Sequence, residues 1–226
     1  MKKAVLTWLL AACVLMMTCA LSEGLEPAEP IKGSESAGAP QASFLVEYAY
    51  PQFKALYPAD EKVNAYYQQL ADELDLAAYE ADASIACEVT HNSDRYLSVL
   101  ETTTLLGGNG EVQLLRADTF ARDGMYAGQK IGLSQLLGLE EQADVAARLA
   151  CDLVWQMVER DAQNPDAGYL DGVTRQQVEG AFVPEWDYYV DWDGNVVFFI
   201  QAGEIASEMA GVLRYPFGVA ELMSAM

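Results

Sequence analysis

The apolar residues of this chain fall in two blocks, and the gap between them limits what can fold. Lys2 and Lys3 precede an apolar run from Ala4 to Ala20, broken by nothing more polar than Thr7 and Thr18, before Ser22 and Glu23 open a polar stretch. A short basic start, an apolar run and a small-residue boundary are the parts of an export signal. The run is shorter than the about 20 apolar residues of a bilayer-crossing helix, which favours cleavage near Ala20 or Ser22 over retention as an anchor. Leu10-Ala11-Ala12 before Cys13 and Met16-Met17-Thr18 before Cys19 are approximate lipid-attachment sequences, so lipidation of Cys19 or Cys13 is the alternative. Residues 1–22 are therefore read as a signal peptide or lipoprotein signal. Residues 23–42, rich in Pro, Gly, Ser, Ala and Glu, are read as a flexible linker with too little apolar surface to fold. Folding is left to residues 43–226, as one domain or as two tightly packed subdomains at about 43–110 and 111–226.

Charge excludes whole classes of function. Thirteen Lys and Arg against 34 Asp and Glu give −21, and removing the two leader lysines leaves −23 on the exported chain. Such a surface repels phosphate backbones and anionic lipid, which excludes nucleic acid as a partner and limits membrane association to the signal or a lipid anchor. With His91 as the single histidine, a three-His zinc site or a two-His metal triad cannot be built, and acid–base work has one imidazole at most. No cofactor and no metal is expected.

The patterning of the folded part alternates between two periods. Phe44, Val46, Tyr48 and Tyr50 lie on one face of a strand that Pro51 closes, and Pro58 and Asp60 start a helix carrying Val63, Tyr66, Tyr67, Leu70 and Leu74 through about Glu80. Strands follow around Ile85–Val89, Arg95–Leu106 and Glu111–Phe120, the last two joined at Gly107-Gly108-Asn109-Gly110. That turn is not a phosphate loop, since no Gly-Lys-Ser/Thr and no helix follow it. A second long helix is predicted from Glu140 to Ala162, then a short helix over Val173–Gly180. Two strands, Glu185–Val190 and Val196–Gln201, flank Asp191-Trp192-Asp193-Gly194-Asn195. Elements in blocks, without regular βα alternation, imply an α+β fold of mainly antiparallel sheet packed against two long helices.

Several residue groups invite chemistry and fall short of it. The Tyr66-Tyr67 pair has the form of a carbohydrate platform but sits on an apolar stripe, which makes it core. Asp191, Asp193 and Asn195 match the first ligands of a calcium loop, yet Val196 stands where glycine is required and Ala202 where the bidentate glutamate belongs; a hairpin turn is the simpler reading. Cys87 and His91 are separated by about 13 Å along a strand, too far for a thiol–imidazole pair, while Cys151 with His91 stays open as a tertiary pair. Cys87 and Cys151 are either a disulfide, in an oxidising compartment, or two buried thiols. No catalytic residue is assigned, and the acids are too many for any pair to be picked as a glycosidase dyad.

The motifs resemble a known family. YPQF at Tyr50–Phe53, Val63-Asn64, Gly107-Gly108, GQKIGLSQLL at Gly128–Leu137 and, above all, Trp186–Leu222 follow the extracytoplasmic domain of the lysozyme-sensing anti-sigma factor RsiV and the non-catalytic domain of the deacetylase PdaC. Asn109-Gly110 replaces the family's Ala-His, and Ser207-Glu208 its Pro-Tyr. The resemblance implies an α+β binding or sensing module without catalysis, located outside the cytoplasmic membrane. Lysozyme-like cationic proteins or peptidoglycan are its expected partners. Only Met1-Lys2-Lys3 precede the apolar run, so direct sigma-factor inhibition is not expected, and no deacetylase domain follows Met226. The alternatives are a carboxylate-based envelope hydrolase and a purely structural lipoprotein. An intact mass of the exported protein should lack the leader; a full-length mass would show that the apolar run is retained, and an added acyl mass would place the lipid on Cys19 or Cys13.

Overall fold

Strand structure begins inside the segment expected to be a linker. The computed structural model describes residues 28–37, 44–75, 79–107 and 110–224, so the leader with Cys13 and Cys19, and the turn residues Gly108 and Asn109, lie outside the described residues. Within 23–42, Ile31–Ala37 forms strand β1, antiparallel to β2 (Phe44–Tyr50) with Ile31 opposite Tyr50. The correction has a simple cause. An edge strand is held by backbone hydrogen bonds along its neighbour and needs little apolar surface of its own; here Ile31 reaches the core.

Helix α1 (Pro58–Asp72) returns the chain so that β3 (Asp82–Asn92) runs parallel to β2, the one parallel pair in the sheet. Pro58 sits in the first turn, and the Asp60 carboxylate accepts from the Tyr57 N–H at 3.0 Å and the Leu56 N–H at 3.2 Å. The helix stops at Asp72, short of the Glu80 expected. Asp72, Glu73 and Asp75 gather negative charge at the end of the helix where the dipole is already negative. Strands β4 (Tyr96–Gly107) and β5 (Gly110–Ala121) complete the order β1-β2-β3-β4-β5. Gly107 pairs with Gly110, so a subdomain boundary at 110/111 would cut a paired hairpin.

The second half holds a one-turn helix α2 (Leu133–Leu136), α3 (Ala143–Asp161), α4 (Arg175–Ala181), β6 (Tyr188–Val190), β7 (Val196–Ile200), β8 (Leu213–Phe217) and α5 (Val219–Ser224). Strands β6-β7-β8 form an antiparallel sheet. The α+β class with mainly antiparallel sheets stands, but of the two long helices expected only α3 is long, α1 having 15 residues. Strand β6 is shorter than predicted because the Trp186 and Asp187 N–H groups both donate to the Val183 carbonyl, closing a turn before it. Strand β8 was not predicted. It carries Arg214 and Pro216, and proline is tolerated because the strand lies at the sheet edge.

The layers follow from side-chain alternation. One face of the five-stranded sheet carries Tyr50, Ile85, Cys87, Val99 and Phe120 against Val63 and Tyr67 of α1. The opposite face meets the second sheet through Leu100, Leu115 and Ala117 against Tyr189, Val197 and Phe199. In β7, Val196, Phe198 and Ile200 point the other way, onto Ala150 and Val154 of α3 and Val178 of α4. A strand buried on both faces reads as an unbroken apolar run, as Val196–Ile200 does. No helix among the described residues is long and apolar enough to cross a membrane.

Polar links fix the contact between the sheets. Ser98 Oγ, fully buried, accepts from the Val190 N–H at 3.0 Å and lies 3.0 Å from Thr119 Oγ1. The Gln201 side-chain amide accepts from the Leu115 N–H at 3.0 Å and donates to its carbonyl at 2.7 Å, continuing the ladder at the edge of β5. Ser98→Ala should lower unfolding free energy by about 1–3 kcal/mol, through an unmet Val190 N–H. Asp60→Ala, which also strands the buried Arg122, should cost about 3–5 kcal/mol. Urea titrations measure both, and equal losses would contradict the ranking.

Candidate functional site

The residues singled out from sequence do not converge. A register shift between Val89 and His91 places His91 opposite Ser98, on the face toward the second sheet, while Cys87 faces α1. The ring of His91 is engaged on both sides: Nδ1 donates to the Asp191 carbonyl at 2.9 Å, and Nε2 lies 3.2 Å from Ser93 Oγ. Cys151 sits on α3, packed against the far core, and both thiols are free. Burial pushes the Cys87 thiol well up, and burial with Glu179 and Asp152 pushes Cys151 up, which leaves neither a ready thiolate.

The Asp191 carboxylate is consumed by its own turn. It accepts from the Asp193 N–H at 2.9 Å, the Asn195 N–H at 2.8 Å and Asn195 Nδ2 at 2.9 Å, while Gly194 takes φ +80°. This is the hairpin reading. Among the described residues no group of three or more His, Cys, Asp or Glu side chains is placed to hold a metal ion.

Ionisable chemistry gathers instead under α1. Asp118, buried on β5, accepts from Lys130 Nζ at 2.7 Å, Tyr66 Oη at 3.1 Å and Tyr67 Oη at 3.4 Å. On the neighbouring strand Glu101 accepts from Arg116 Nη2 at 2.7 Å, and the same nitrogen lies 3.6 Å from Asp118. Burial pushes Glu101 above its ordinary value against the pull of Arg116. Burial, then the charge of Asp118, pushes the Tyr66 hydroxyl up, so it remains a proton donor. The tyrosine pair is thus core and hydrogen-bond donor, as the stripe implied. Two anions face two cations, an arrangement that neutralises charge inside the fold and gives neither acid a substrate-facing role.

A second buried pair is architectural. Arg122 Nε donates to Asp60 at 3.1 Å, its Nη1 reaches Asn92 Oδ1 and the Ser93 carbonyl, and its guanidinium lies 4.5 Å from the Tyr57 ring centroid. It ties the start of α1 to the β3–β4 turn. Another tie joins Glu185, which accepts from Ser134 Oγ at 2.7 Å and Ser134 N–H at 3.1 Å, to α2. A Cβ on Gly132 would fall 2.0 Å from that carboxylate, so a larger residue there would push Glu185 off Ser134.

A concavity lies elsewhere, at the C-terminal end of α3. A cleft of about 510 Å³ is lined by Trp155, Val158, Glu159 and Ala162 of the helix and its end, by Gln163 and Asn164, and by Tyr169–Val173. Its far wall is anchored: the Leu170 N–H donates to Ile205, the Ser207 N–H donates to Gly168, and the Tyr169 and Tyr215 hydroxyls lie 3.2 Å apart. None of these lining residues was singled out from sequence. Trp155, Val158, Glu159 and Ala162 do share a helix face, but the cleft exists only once the loop after α3 folds back.

Two crystal structures of DUF3298-family proteins are similar to this chain. The one from Pseudomonas aeruginosa PAO1 is 16% identical with a TM-score of 0.50, covering 90% of this chain and 95% of that one. The one from Bacteroides fragilis NCTC 9343 is 12% identical with a TM-score of 0.49, covering 89% and 98%. No family model and no curated protein sequence matches. The Pseudomonas structure shows a shared fold, with which the RsiV-like resemblance is compatible; fold alone does not carry an activity.

The raised Glu101 has a measurable consequence. Its folded form holds the proton above the ordinary 4.5 at which the unfolded chain releases it. This group's contribution is therefore present in acid and is lost as pH rises from 4.5 through the folded value. Glu101→Gln keeps an acceptor for Arg116 and removes the titration. Wild-type stability minus variant stability, from denaturant titrations across that window, should fall as pH rises; parallel profiles would refute it.

Proposed function

We propose that this chain is an exported, non-catalytic binding or sensing domain of the cell envelope, with lysozyme-like cationic proteins or peptidoglycan as ligand. The disposition of charge carries the reading. Arg116, Arg122, Lys130, Arg160 and Arg175 are each taken up by carboxylates of the fold itself, which leaves the excess acid of a chain at −21 on the surface. An exposed anionic field raises the encounter rate with a cationic partner over distances comparable to the Debye length and weakens with salt. The leader supports location outside the cytoplasmic membrane.

The hydrolase alternative needs two acids facing a cleft with pKa values pushed apart. The buried acids Glu101 and Asp118 are held by Arg116 and Lys130. The cleft acids Glu159 and Asp171 are exposed. This favours binding over bond cleavage. Calorimetric titration of the exported chain against a lysozyme and against muropeptides, at low and moderate salt, tests the reading. Binding to the lysozyme should weaken as salt rises, and no reducing ends should appear from glycan strands; no binding to either ligand, or glycan cleavage, would overturn it.

A further inference from the structure

We propose that the cleft at the end of α3 is a saccharide-binding site selective for neutral or amino sugars over anionic ones. The proposal rests on the binding reading above and names a ligand class for one site. Its volume of about 510 Å³ falls within the roughly 300–1,000 Å³ of small-molecule sites. Both walls are preformed, one on a helix and the other pinned to the segment at Ile205–Ser207, so little ordering is needed on binding.

The lining supplies what a pyranose needs. Sugars present apolar C–H faces and a rim of hydroxyls that both donate and accept. The half-buried rings of Trp155 and Tyr169, with the exposed Leu170, give apolar surface. Around them the polar groups are divided in the complementary way. Asn164 Oδ1 is occupied by the Asp166 N–H at 3.1 Å, which leaves its amide N–H groups to donate. Gln163 Nε2 reaches the Glu159 carbonyl at 3.5 Å, which leaves its carbonyl oxygen to accept. The carboxylates of Glu159 and Asp171 accept only, and their charge repels phosphate, uronate or sialate groups. A cationic side chain would satisfy the carboxylates and the Gln163 oxygen but leave the Asn164 amide donors unused.

The test titrates the exported chain with chitotetraose, cellotetraose, a uronate-containing tetrasaccharide and a lysine-rich peptide, following amide shifts by NMR. At least one neutral oligosaccharide should bind saturably, with shifts centred on residues 155–173, and the uronate should not. Trp155→Ala should weaken that binding about tenfold or more, and the exposed-site variants Gln163→Ala and Asp171→Asn about three- to tenfold each with unchanged thermal midpoints. No saturable neutral sugar, binding indifferent to all three variants, or shifts from the peptide alone would overturn the assignment. Lysozyme binding retained under those results would leave the broader reading standing; its loss as well would remove both.

Discussion

The contact between the two sheets is the interaction on which the rest of the structure depends. Its apolar part is small, Leu100, Leu115 and Ala117 against Tyr189, Val197 and Phe199, and apolar contact is non-directional, so packing alone would let one sheet slide over the other. Ser98 to Val190 and Gln201 to Leu115 are directional, and each satisfies a backbone group that burial would otherwise leave unmet. Because α3 packs on the opposite face of the second sheet, the same links set where the helix and its terminal cleft stand relative to the acidic first sheet.

Charge is sorted by the fold rather than scattered. Burying Asp60 or Asp118 alone would impose a desolvation cost that no nearby apolar gain offsets, and each carries a cation and further hydrogen bonds. Each cation drawn inward takes a carboxylate with it, so the surface keeps the whole excess of acid that composition gives. The excess bears on partners, through long-range attraction, and not on the fold.

Binding and catalysis are separated by where the acids stand. Buried carboxylates here are bound to Arg and Lys, and His91 joins β3 to the β6–β7 turn with both ring nitrogens engaged. The exposed cleft combines rings, amides and acids without a buried titratable pair. Such a surface suits the binding proposed above, by shape and hydrogen bonding, which needs no proton transfer.

What was legible in the sequence was local. Alternation at Phe44–Tyr50, the stripe from Val63 to Leu70, the unbroken apolar run Val196–Ile200 and the Asp191–Asn195 turn each depend on residues within a few positions, so periodicity and turn chemistry determined them. The strand at Ile31–Ala37, the end of α1 at Asp72, the strand Leu213–Phe217 and the turn of His91 away from Cys87 depended on partners or charges that no local pattern displays. The cleft is the extreme case. Trp155 and Tyr169 come together because Leu170 and Gly168 hydrogen-bond to Ile205 and Ser207, 35 and 39 residues further along the chain. By itself the sequence determined the acidity and the α+β class. Only the tertiary structure decided which acids are neutralised and where a ligand has room, because ion pairing and concavity are made by residues distant in sequence and close in space.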